Sequence, residues 1–147
     1  MTGGVVAGVV GLYVSACGGA ARPAPLRIRI RPKTLLVDAS PQITIAGLRP
    51  GQTIRLTATT RRAMYVWSGS ATFRADAHGE VELAHQAPLD HAYDGTAALG
   101  LLGVQKAGAA VSPQPGPTIT TFHASAAGRS ATATLRQLGV TLMCECV

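Results

Sequence analysis

Seven short segments rich in Ile, Val and Thr, each bounded by Gly, Pro or Asp, constrain this chain more than any other feature of its sequence. They run over 27–31, 42–46, 53–61, 64–75, 80–84, 118–125 and 131–137, and turn signals such as Leu48-Arg49-Pro50-Gly51 and Asp76-Ala77-His78-Gly79 separate them. β-branched residues suit a pleated, half-buried surface. No segment shows sustained helical periodicity. Strands of this length recurring about every ten residues predict an all-β fold, an immunoglobulin-like β-sandwich of about seven strands. Ile43, Ile45, Ile54, Leu56 and Phe73 fall at inward positions. Between the fifth and sixth strands lies a long irregular stretch, 88–117, of the kind that is usually functional or mobile.

The chain has 147 residues, 47% of them hydrophobic and 14% charged, which fits one domain with a real core. Three cysteines are too few for a disulfide scaffold, and no apolar run reaches the roughly 18 residues of a membrane span. The net charge of +6 is uneven: residues 22–74 hold ten basic side chains against the single acid Asp38, while 75–147 hold three against six. A basic surface attracts anionic partners. Arg27, Arg29 and Arg31, however, alternate with Leu26, Ile28 and Ile30, the pattern of a solvated edge strand. No Lys/Arg cluster is interleaved with aromatic rings that would stack bases, so no nucleic acid partner is expected.

The first 25 residues read as a leader and linker. An apolar Val/Gly stretch from Val5 to Val14 precedes Val14-Ser15-Ala16-Cys17-Gly18, which resembles a bacterial lipobox. Cys17 is then the lipidation site, and the protein would sit at the extracytoplasmic face of a bacterial membrane, held by acyl chains. Residues 1–4 carry no Lys or Arg, unlike most such leaders. The competing reading is an unprocessed tail on a cytoplasmic protein.

Several segments in order carry a resemblance. Val37-Asp38, Gly47-Leu48-Arg49-Pro50-Gly51-Gln52, Trp67-Ser68-Gly69-Ser70-Ala71 and Ala75-Asp76-Ala77-His78-Gly79-Glu80-Val81-Glu82-Leu83 are similar to the N-terminal domain of the acyl-CoA thioesterase and bile acid-CoA:amino acid N-acyltransferase family. Tyr93 with Gly95, and Gly100-Leu101-Leu102, resemble that family's Ser-Tyr-x-Gly and Met-Gly-Leu-Leu-Trp elements. Ala92, Leu99, Gly103 and Val104 stand where the pattern has Ser, Met, Trp and Ser. The resemblance implies acyl-CoA hydrolysis by a protein whose second domain, an α/β hydrolase, holds the nucleophile. This chain has no Gly-x-Ser-x-Gly elbow or Cys variant, since Ser68, Ser70, Ser125 and Ser130 lack the flanking glycines. Residues 142–147 do not resemble the family, so the expectation is a 26–138 sandwich, an unstructured 139–147 tail and truncation after about Thr141.

Other candidates for chemistry are sparse. His85, Asp90 and His91 suggest a metal constellation, but their spacing implies no shared face, and no metal or cofactor is assigned. Cys144 and Cys146 offer two thiolates where structural zinc needs four ligands. Tyr65 and Trp67 share a strand face and read as core rather than as a stacking platform. No catalytic residue is assigned. Two functions survive: a non-catalytic domain of a thioester hydrolase family, partnered by a hydrolase domain, and a membrane-anchored binding module.

Overall fold

Where buried aliphatic residues alternate with exposed polar ones, the chain of the computed structural model is extended, as the period-two rule requires. The structure describes residues 24–62, 64–112 and 116–139. Cys17, the lipobox, Cys144 and Cys146 lie outside the described residues. The strands are β1 (Arg27–Arg31), β2 (Thr34–Leu36), β3 (Gln42–Ala46), β4 (Thr53–Arg62), β5 (Tyr65–Arg74), β6 (Val81–Glu82), β7 (Lys106–Ala110), β8 (Thr118–Ala126) and β9 (Arg129–Leu138). A single short helix, α1 (Gly100–Gly103), precedes β7 among the described residues.

They form two sheets, of order β1-β3-β6 and β2-β9-β8-β4-β5-β7. Lettered as an immunoglobulin domain, β1, β3 and β6 are A, B and E, while β9, β8, β4 and β5 are G, F, C and C′. The expected sandwich is therefore present, with nine strands among the described residues rather than seven. β2 pairs in parallel with β9, Thr34 opposite Arg136, so the chain crosses from one sheet to the other directly after β1. β1 is an edge strand with Arg27, Arg29 and Arg31 exposed, as its alternation predicts.

The core lies between the sheets. The smaller sheet contributes Ile30, Ile43, Ile45 and Val81, and the larger contributes Ile54, Leu56, Ala58, Ala71, Phe73, Phe122, Ala124 and Leu135. All five residues expected to point inward do so. Tyr65 does not follow the core reading: it stands at the end of the sandwich, 43% exposed, and Trp67 is half-buried. The segment expected as strand 80–84 pairs only over Val81–Glu82, because its chain turns at once, with the His85 and Gln86 amides both donating to the Glu82 carbonyl.

The outer face of the larger sheet is a grid of hydroxyl and basic side chains. Register places Thr57 beside both His123 and Ser70, Thr59 beside Thr121 and Ser68, and Ser68 beside Lys106.

Candidate functional site

The turn residues that carry the family resemblance interlock at one end of the sandwich. Gly47 has φ +90, and a Cβ there would stand 2.3 Å from the Pro25 carbonyl oxygen. At Gly79 (φ +73) a Cβ would meet the Leu48 carbonyl oxygen at 2.1 Å, and the Leu48 amide donates to the Gly79 carbonyl. Only glycine satisfies both demands. Within the second turn the Asp76 carboxylate accepts from the His78 amide at 2.8 Å and the Glu80 amide at 3.0 Å. The Glu80 amide is the chief reason its carboxyl titrates below the ordinary range, with burial opposing and His78 helping. Arg129, on β9, closes the assembly by donating to the Ala24 and Gly47 carbonyls at 3.0 and 2.9 Å, and to Gln52 Oε1 at 3.4 Å.

The second group of family-like residues forms a plug on the long connection. The smaller sheet is too narrow to cover the β4 and β5 side of the larger one, and α1 fills that place with Leu101 fully buried. The Tyr93 ring lies against Gly100, where a Cβ would come within 2.5 Å of the ring carbons. Its hydroxyl donates to the Ala97 carbonyl at 3.4 Å. Burial, reinforced by the Asp90 charge, pushes the phenol above its ordinary pKa. Gln105 Nε2, one residue before β7, donates to the Ala58 carbonyl and to Thr60 Oγ1, both at 3.0 Å. Thr60 Oγ1 also shares a 2.8 Å hydrogen bond with Thr120 Oγ1 inside the core. The stretch expected as irregular is thus a helix, a strand and a buried polar network, and its signature residues are architectural.

Beside the plug, on the outer side of the sheet, lies a cleft of about 560 Å³ lined by Arg55, Thr57, Ser68, Gly69, Ser70, Ala92, Val104 and Lys106. Arg55 Nη2 donates to Ser70 Oγ at 2.8 Å, which holds the guanidinium over β5. Ala92 and Val104, two positions where the family-like pattern has serine, supply its apolar wall. Composition alone did not single out this cleft. Arg55, Ser68, Ser70 and Lys106 come from three strands, and only the register brings them together.

The remaining candidates are dispersed. His85 Nδ1 pairs with Glu82 at 3.1 Å, Asp90 accepts from the Ala92 amide at 3.3 Å, and His91 sits at φ 51. Among the described residues no group of three His, Cys, Asp or Glu side chains is placed to hold a metal. Ser125 and Ser130 face each other across β8 and β9, and neither has a histidine partner among the described residues. Among the described residues no helix is long and apolar enough to cross a membrane.

The fold is a two-sheet β-sandwich whose interlocked glycine turns and helical plug close its ends and flank. The acyl-CoA thioester hydrolase/BAAT N-terminal region matches residues 38–128, well over half of the chain. This chain belongs to that family. No curated protein matches it.

Proposed function

We propose that this domain is a non-catalytic partner of an acyl-CoA thioester hydrolase or N-acyltransferase unit. Thioester hydrolysis needs an activated nucleophile beside a base and an oxyanion hole. The serine hydroxyl held by another side chain among the described residues is that of Ser70, and its partner is Arg55, a cation and not a base. The observation that carries the reading is the match over residues 38–128, which takes in both interlocked turns and the plug.

An exposed apolar strip supports a docking role. Leu36 pairs with Leu138, the Val37 amide donates to the Leu138 carbonyl, and Ile119 stands opposite Arg136 two residues away. Leu36, Val37, Ile119 and Leu138 are 39–49% exposed at one end of the larger sheet. Exposed apolar side chains gathered at one sheet end, with Arg61 and Arg136 flanking Ile119, favour a partner surface. The test mixes the chain with a purified α/β hydrolase domain of an acyl-CoA thioesterase and follows sedimentation and thiol release. Association lost in Ile119→Asp, with no thiol release by the chain alone, is the expected result. Turnover by the chain alone that disappears on mutating one of its serines would overturn it.

The lipobox-like run ending at Cys17 favours a second reading, a domain tethered to the outer face of a bacterial membrane. Its measurement is fractionation in a lipoprotein-processing bacterium, where Cys17→Ser is expected to leave the membrane and keep its leader.

A further inference from the structure

We infer that the cleft between Arg55 and Lys106 is a binding site for a small phosphate-bearing anion. The inference goes beyond the family reading and does not depend on it.

Its two cations come from different strands and face one space. Arg55 lies on β4 opposite Thr72 of β5, and Lys106 lies on β7 opposite Ser68 of β5. Strand spacing and rise put their Cα atoms roughly 16 Å apart, a span that two long side chains close from opposite ends. Thr57, Ser68 and Ser70 lie between them with hydroxyls on the same sheet face. Arg55 spends one donor on Ser70, and among the described residues its remaining donors and the Lys106 ammonium have no protein acceptor. No carboxylate lines the cleft. Asp90 and Asp94, each two residues from Ala92, lie outside the lining, and Asp90 accepts from the Ala92 amide.

That set of groups selects the ligand. Two unneutralised cations flanking three hydroxyls fit an oxyanion with several acceptor oxygens, since charge-assisted hydrogen bonds are the strong ones. A volume of about 560 Å³ holds a phosphate with a small organic substituent. An acyl chain does not fit, because only Ala92 and Val104 offer apolar side chains and burying hydroxyls and charges under methylenes is unfavourable.

Other basic grooves lack the combination. The one beside Arg29 and Arg31 already contains Glu80, and the one beside Arg129 faces a guanidinium committed to two carbonyls and Gln52.

The test titrates the full chain with inorganic phosphate and, separately, methyl phosphate, at constant ionic strength set with chloride, reading backbone amide shifts. Saturable shifts at Ser68, Gly69, Ser70 and Lys106 are expected. Arg55→Gln and Lys106→Gln should each weaken binding by about tenfold or more, because each removes a charge-assisted contact. Arg29→Gln, which loses the same charge on the other sheet, should leave affinity unchanged. Both cleft cations are exposed, so unchanged melting temperatures will verify that the variants fold. Tighter binding of methyl phosphate assigns the site to phosphate esters, and equal binding assigns it to the free anion. Shifts that never saturate, or equal weakening by all three variants, would show general attraction to a basic protein and overturn the site.

Discussion

Gly79 is the residue on which most local geometry converges. It has φ +73 and touches the Leu48 carbonyl, so a methyl group there both strains the backbone and pushes two turns apart. Gly79→Ala is expected to lower stability by about 2–3 kcal/mol, measured by denaturant unfolding. Gly51→Ala, with positive φ but no atom within 4 Å, should cost less. Three residues away from Gly79, the Asp76 carboxyl titrates below its ordinary 3.8 because the Glu80 amide, then His78, bond its charged form. The stabilisation is present above the ordinary value and is lost as pH falls through the lowered one. Amide shifts of His78 and Glu80 should therefore move together below about pH 4, and Asp76→Asn should remove that titration.

Among the elements, the plug around α1 shows what a sequence hides. β7 reads Lys-Ala-Gly-Ala-Ala, without one β-branched or aromatic residue, and its strand conformation comes from pairing with β5 rather than from propensity. β2 spans three residues and is fixed by β9, a partner about a hundred positions away. The four longest strands, with β1 and β3, were legible because buried and more exposed side chains alternate along them over enough positions to fix a face. Tyr93 gives the plug an alkaline limit. Its phenol holds its proton more tightly folded than unfolded, so stability is full below the ordinary value of 10.0 and falls as pH rises past it. Melting temperatures from about pH 9 to 11 should drop more steeply in the native chain than in Tyr93→Phe. Gly100→Ala, which displaces the ring, should increase hydrogen exchange in α1.

At the scale of the molecule, the sandwich was legible and the cleft was not. Inward positions such as Ile43 and Phe73 announce themselves by period, whereas the placement of Arg55 and Lys106 around one cleft depends on two separate registers, β4 with β5 and β5 with β7. Serine and threonine on the outer face look like ordinary solvated strand residues until the grid assembles them. Phe122 and Leu135 of the larger sheet, both fully excluded from solvent, belong to the one core cluster that residues of both sheets share. Phe122→Ala is expected to cost about 3–5 kcal/mol and to unfold both sheets in one cooperative transition seen alike by circular dichroism and tryptophan fluorescence.

The parallel pairing of β2 with β9 also has a consequence for synthesis. β2 must wait for a partner about a hundred residues further along the chain, and β8 has no neighbour on that side until β9 arrives. The nascent chain through β7 can assemble the β4, β5 and β7 ribbon early, yet it lacks Phe122 and Leu135. Long-range closure of this kind is slow. The domain therefore completes its folding only after nearly its whole length has been translated, and during that interval the apolar faces of β3 and β4 depend on chaperones or on speed.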